Sequence, residues 1–197
     1  MYPDSYVVFD VETPNSRNDR MSAIGVVLVE NGLETESFYT LVDPETGFDA
    51  FNIRLTGITP RMVRGQPAFP ALWTRLRPRF ERGVLSAHNA PIDQGVLGRC
   101  QRDYGIRWVP VCSYVCTCQM GRSLLPDAPN HRLDTLARRL ELPLRHHNAL
   151  SDTRACAGLL RYYLGKAELS PYLRRFDFRT LRSIGAAEGE SPEKGIE

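Results

Sequence analysis

Asn31-Gly32 lies between two strand-like stretches, Ala23 to Val29 before it and Ser37 to Val42 after it. Asn-Gly readily adopts the positive φ angles of a two-residue hairpin turn, whose twist matches the strands it joins. The pair therefore predicts an antiparallel hairpin. Ahead of it, Tyr6-Val7-Val8-Phe9 is another β-branched and aromatic run, which leads into Asp10-Val11-Glu12-Thr13 and is broken by Pro14-Asn15-Ser16. Three meandering antiparallel strands are expected at the start of the chain.

Beyond them the period changes. Phe69, Leu72, Trp73, Leu76 and Phe80 recur at helical spacing, predicting an amphipathic helix over Pro67 to Phe80. Val84 to His88 reads as a short strand. Pro91 to Tyr104 reads as a helix with proline in its first turn, where the missing N–H costs nothing. Trp108 to Val111 is expected to be a strand, and Val115 to Leu124, Arg132 to Leu140 and Leu150 to Leu164 are expected to be helices. Leu169 to Ile184 is expected to pack as a last helical segment, with Glu188 to Glu197 a flexible acidic tail. No repeat and no Gly/Ser-rich linker interrupts the 197 residues. The pattern is one α/β domain, antiparallel strands first and then strands separated by helices.

Charge is unevenly spread. Residues 1–60 carry a net −7 and residues 61–182 a net +12, and 23 of the 25 basic residues are arginine. Arginine's planar fork suits phosphate oxygens, so a basic middle and an acidic start fit a polyanionic partner and a bound cation. A GC-rich genome that writes arginine for lysine would give the same count. The longest uncharged apolar run, Ser22 to Val29, is far short of the ~20 residues a bilayer requires. Asp4 and Asp10 stand where a secretory leader would carry no acid, so a soluble, cytoplasmic protein is expected. The five cysteines are an odd number without the paired spacing of a zinc site, and small buried hydrophobes are their commoner role.

Three short segments carry chemistry. Asp10 and Glu12 end the first strand, and side chains two apart on a strand point the same way. Two adjacent carboxylates repel each other unless a cation sits between them, and oxygen ligands favour Mg²⁺ or Mn²⁺. In Ala87-His88-Asn89-Ala90-Pro91-Ile92-Asp93 an apolar strand runs into polar residues and then a helix whose first turn holds Asp93. In His147-Asn148-Ala149-Leu150-Ser151-Asp152 an imidazole precedes a helix that presents a carboxylate. Each segment alone also reads as an ordinary surface feature: a strand end bearing two acids, an acid at a helix N-terminus, a solvated histidine loop.

Taken in order, the three segments resemble the motifs of the DEDDh 3′–5′ exonucleases, the group that includes the proofreading epsilon subunit of bacterial DNA polymerase III and RNase T. The resemblance covers about residues 5–165 and extends to Leu55-Thr56-Gly57-Ile58-Thr59, which looks like the family's segment beside the terminal nucleotide. It implies a ribonuclease H-like fold, with a mixed five-stranded sheet flanked by helices. An exonuclease domain would span residues 1–165, and residues 166–197 would be an extension, partly helical and then acidic. Asp10, Glu12, Asp93 and Asp152 would hold two divalent ions, Mg²⁺ or Mn²⁺, and His147 would be the general base. His147 is preferred to His146 because its five-residue spacing to Asp152 matches the family, and in an extended segment His146 would point the other way. Thr13, Leu55, Thr56, Ile58, His88 and Asn89 would contact substrate, with Leu55 or Ile58 wedged against the last base. The substrate would be the 3′ end of single-stranded DNA, or of RNA, releasing nucleoside monophosphates. A polymerase subunit or a second copy of the chain would be the partner. Pro14 stands where the family usually has glycine, and Ile92 where it has phenylalanine.

Two rivals remain at this level. Asp-x-Glu-Thr also resembles the first motif of haloacid-dehalogenase-like phosphatases, but those need a downstream lysine and paired acids, and lysine occurs here only at positions 166 and 194. A catalytically silent nucleic-acid-binding module is the other, and it would not need the complete set of five residues.

Overall fold

The computed structural model describes residues 5–186. Its centre is a seven-stranded sheet in the order β3-β2-β1-β4-β5-β6-β7. The strands are β1 (Ser5–Glu12), β2 (Ala23–Glu30), β3 (Leu33–Leu41), β4 (Val84–Ala87), β5 (Val111–Cys116), β6 (Arg174–Asp177) and β7 (Arg182–Ala186). The expected meander is present, with β1 antiparallel to β2 and β2 to β3. Strand β4 runs parallel to β1 and β5 parallel to β4, while β6 and β7 return antiparallel. Helices α1 (Ala50–Thr56), α2 (Pro60–Val63) and α3 (Phe69–Phe80) fill the connection from β3 to β4. Helix α4 (Pro91–Asp103) links β4 to β5, and α5 (Thr117–Leu124), α6 (Leu133–Arg139) and α7 (Ala149–Leu164) lead on to β6.

Both faces of β1 are covered, so it reads as a nearly continuous apolar run. Val7 and Phe9 pack with Leu72, Trp73 and Leu76 of α3 and with Val96 and Leu97 of α4. Tyr6 and Val8 face the opposite layer, among Leu136 of α6 and Ala155, Cys156, Leu159 and Leu160 of α7. Alternation continues this second row into Asp10 and Glu12. The two acids are therefore aimed at the side where α7 lies.

Three expectations are corrected. The sheet has seven strands rather than five, because the segment expected to be a final helix forms the β6–β7 hairpin after a short 3₁₀ turn at Ser170–Tyr172. Phe176 and Phe178 alternate into the α3–α4 layer, and β6 satisfies the open edge of β5 from Val111 to Tyr114. Asp177 then closes the turn, its Oδ1 accepting from the Arg179 nitrogen at 2.8 Å. The fifth strand starts at Val111 instead of Trp108, because Pro110 has no N–H to donate and Trp108 joins Trp73, Phe80 and Phe178 in an aromatic cluster. Val115 belongs to this strand, paired with Ser86, and α5 begins at Thr117. The acidic tail Glu188 to Glu197 lies outside the described residues.

Gly25 of β2 pairs with Asp10 and faces α7. A methyl group there would run into the carbonyl of Ala149 and the nitrogen of Leu150, both backbone atoms of the first turn of α7. Glycine is what lets this helix start against the sheet. Gly25→Ala should lower stability by about 1–3 kcal/mol, the usual cost of forcing extra atoms into a packed site, as read from urea unfolding. Unchanged stability would mean the contact is looser than the backbone positions indicate.

Candidate active site

Three chain segments converge at the carboxyl ends of β1 and β4. Asp10 and Glu12 come from β1. Asp93 comes from the first turn of α4, which Pro91 opens. Its Oδ1 accepts from the backbone N–H of Val11 at 3.1 Å, which ties α4 to β1 between the other two acids. Asp152 comes from the first turn of α7, where Asn148 caps the helix by accepting from the Ser151 nitrogen at 3.1 Å. Glu12, Asp93 and Asp152 are only 7%, 5% and 3% exposed. One oxygen from each of Asp10, Glu12 and Asp152 lies within 4.8 Å of the others, while Asp93 stands outside that group.

The histidines differ from expectation. His147 has φ of 64°, a left-handed conformation that an extended segment does not have. The usual alternation of neighbouring side chains is lost, and the two imidazoles stack with centroids 3.9 Å apart. His146 does not point away. Its Nδ1 lies 3.1 Å from Asp152 Oδ2, which also accepts from the backbone N–H of His147 at 3.0 Å. The acids and both histidines line one cavity of about 700 Å³, whose further wall is supplied by Arg122, Asn130, His131 and Arg132 from around the α5–α6 connection.

The family model described as "Exonuclease", of the RNase T type, matches residues 7–160. The chain belongs to this exonuclease family. "DNA polymerase III PolC-type" of Clostridium perfringens is 35% identical to it over 169 residues, which is 84% of this chain but 12% of the polymerase. The chain thus spans about an eighth of the length of the curated relatives it matches. Among solved structures, "Exonuclease X in complex with 5′ overhanging duplex DNA" has a TM-score of 0.68 at 22% identity and covers 82% of this chain and 92% of its own. The nuclease domain of 3′hExo, a DEDDh family member bound to rAMP, has a TM-score of 0.72 at 17% identity and covers 85% of this chain and 94% of its own. These likenesses establish the ribonuclease H-like exonuclease fold.

Electrostatics test whether the clustered acids fit a divalent cation. Burial, followed by the charges of Asp93, Glu12 and Asp152, pushes Asp10 well above the usual carboxylate range. Burial and the neighbouring acids raise Glu12 to about 8. Asp93 is raised to about 7, chiefly by burial and despite its bond from Val11. Asp152 is raised by burial, against the pull of His146 and the His147 amide. Its Oδ1 is buried without a hydrogen-bond partner. Clustered oxygen donors, mutual repulsion and an orphaned buried oxygen are what a divalent cation would relieve.

The remaining sequence-predicted contacts are divided. Asn89, at φ 65°, is exposed on the cavity wall. His88 also lines the cavity, but both ring nitrogens are engaged, Nδ1 with Thr117 Oγ1 and Nε2 with the His131 carbonyl, each at 3.0 Å. A carbonyl only accepts, so Nε2 carries the proton and Nδ1 accepts from the threonine hydroxyl. Burial pushes this ring down to about 4, which keeps it neutral. Thr13, Leu55, Thr56 and Ile58 are not among the residues lining the cavity. The Thr13 carbonyl and hydroxyl accept from Asn52 Nδ2 of α1, and Thr56 caps its own helix end. Ile58 is buried with Ala23, Val63 and Ala149, whereas Leu55 is 39% exposed. Of the two proposed wedges, only Leu55 is open to a base. Sequence reasoning missed Arg122, Arg132 and the Asn52 tether. The basic middle of the chain was a diffuse signal for the arginines, and nothing marked Asn52.

The raised carboxyl values have a consequence for stability. Without metal the folded state holds protons that the unfolded chain releases, so stability is greatest below the ordinary values near 4 and is lost as pH rises through about 7 to 8. In chelator, Glu12→Gln should be more stable than the wild type at pH 8 and gain little at pH 5, measured by thermal melting. An equal gain at both pH values would contradict the charge argument.

Proposed function

We propose that the protein is a metal-dependent 3′–5′ exonuclease that hydrolyses the terminal phosphodiester bond of a single strand and releases nucleoside monophosphates. The observation that carries this reading is the convergence of Asp10, Glu12, Asp93 and Asp152 with His147 in one cavity large enough for a nucleotide. Asp10, Glu12 and Asp152 would hold one Mg²⁺ or Mn²⁺, and Asp10 with Asp93 would support a second. When bound, such ions shield the phosphate and make water a stronger nucleophile at neutral pH.

The chain's own residues supply the rest. His147 takes the proton of the attacking water. Burial, together with the His146 and Arg132 charges, lowers its pKa, so its ring is in the basic form at neutral pH. Among the described residues its ring nitrogens have no hydrogen-bond partner, whereas His146 Nδ1 is committed to Asp152. Arg122 and Arg132 offer positive charge to the incoming phosphates, and exposed Leu55 offers an apolar surface to the terminal base.

DNA is the favoured substrate, because relatives sharing about a third of the sequence are DNA polymerases, although the rAMP-bound neighbour keeps RNA in view. Association with a polymerase in the cytoplasm fits the same relatives; a second copy of the chain is the other candidate partner. Among the described residues no helix is long and apolar enough to cross a membrane. Residues 1–165 would carry the activity, with residues 166–197 an extension of it.

Cleavage of a 5′-labelled oligonucleotide tests the reading. Shortening should proceed from the 3′ end, require Mg²⁺ or Mn²⁺, and stop with a 3′-phosphate. Rapid cutting of a closed single-stranded circle would make the protein an endonuclease instead. His147→Ala should lower kcat about 10²–10⁴-fold, the usual loss for a general base, with little change in substrate binding. A fall of less than a few-fold would remove His147 from that role.

A further inference from the structure

Beyond the oxygen-lined acid cluster, a second set of donors converges on the same carboxylate. One ring nitrogen from each of His146 and His147 and one oxygen of Asp152 lie within 4.8 Å of one another. His146 Nδ1 and Asp152 Oδ2 are already 3.1 Å apart. Donors around a tetrahedral zinc, at ~2.0–2.1 Å from the metal, stand roughly 3.3 Å from each other. The left-handed turn at His147 aligns the two rings, and the His146 side chain is 30% exposed, which leaves the group open to solvent. Spacing to Asp152 assigns the family histidine to position 147, so His146 adds a second imidazole to a site built for oxygen ligands.

We propose that His146, His147 and Asp152 form an inhibitory site, overlapping the acid cluster, for a borderline divalent cation of the zinc type. Two imidazoles and a carboxylate favour such a cation over Mg²⁺, which prefers oxygen and keeps its waters. A cation held there takes the place of the His146–Asp152 hydrogen bond. It also takes Asp152 from the acid cluster and His147 from its role with water, since Asp152 belongs to both donor sets. Binding stands independently of the exonuclease reading; inhibition rests on it.

The experiment uses the metal-stripped full chain. Zn²⁺ binding is measured by calorimetry, and Co²⁺ binding by the visible absorption of a nitrogen-ligated ion of low coordination number. His146→Gln and His147→Gln should each weaken Zn²⁺ at least tenfold and diminish the Co²⁺ bands, while Asp10→Asn should leave both in place. Equal Zn²⁺ affinity in wild type and His146→Gln, or loss of binding in Asp10→Asn alone, would overturn the proposal by assigning zinc to the acid cluster. In saturating Mg²⁺, each protein is then compared with its own uninhibited rate. His146→Gln should need at least tenfold more Zn²⁺ for half-inhibition, and an unchanged requirement would overturn the inhibitory role. No Mg²⁺-supported cleavage by the wild type, with zinc binding intact, would instead count against the exonuclease reading alone.

Discussion

Like charges held close together out of water set the terms for this molecule. Burial raises the proton affinity of Asp10, Glu12, Asp93 and Asp152, neighbouring carboxylates add to it at Asp10, Glu12 and Asp93, and each acid comes from an element anchored elsewhere. The hydrogen bond from Val11 to Asp93, the Asn148 cap and the glycine contact beneath α7 hold them at close range. The layers around the sheet supply the anchoring: β1 is buried on both faces, and α7 packs along it through Ala155, Cys156, Leu159 and Leu160. A scaffold of this kind costs stability without a cation and gains it with one. That is the arrangement a metal-dependent nuclease needs, with its ligands in place before the metal arrives.

The same geometry divides the cavity by chemistry. Carboxylates occupy the floor, and Arg122 and Arg132 stand on the wall contributed by the segment around α5 and α6. Asp10 and Glu12 from the acidic beginning of the chain thus share one cavity with two arginines from its basic middle. A phosphodiester strand suits that polarity, with its phosphates near the arginines and its reacting bond above the acids. His88, held neutral between Thr117 and the His131 carbonyl, serves as a strut between β4 and the wall rather than as a free contact.

Much of this was legible in the sequence because it rests on local periodicity. The hairpin at Asn31-Gly32, the parity that puts Asp10 and Glu12 on one face, and the proline that opens α4 before Asp93 all act within a few residues. The C-terminal hairpin was not legible. Its strands form only because β5 offers an unpaired edge and the α3–α4 layer accepts Phe176 and Phe178, and both are nonlocal facts. Helices α1 and α2 were missed for a related reason: their short segments bury few apolar residues, and α1 is tied down by Asn52 reaching Thr13. The orientation of His146 failed on a single backbone angle at His147, which spacing rules cannot supply.

The central claim is that the four carboxylates are a cation site strained by its own charge. Calorimetric titration of the metal-stripped protein with Mn²⁺ at pH 7, repeated in buffers of different ionisation enthalpy, tests it most directly. Groups still partly protonated at that pH must give up protons when the cation binds. The account predicts binding accompanied by net proton release, which diminishes as the pH is raised past 8 and is reduced in Glu12→Gln. Binding without proton release, or no binding in the wild type, would contradict it.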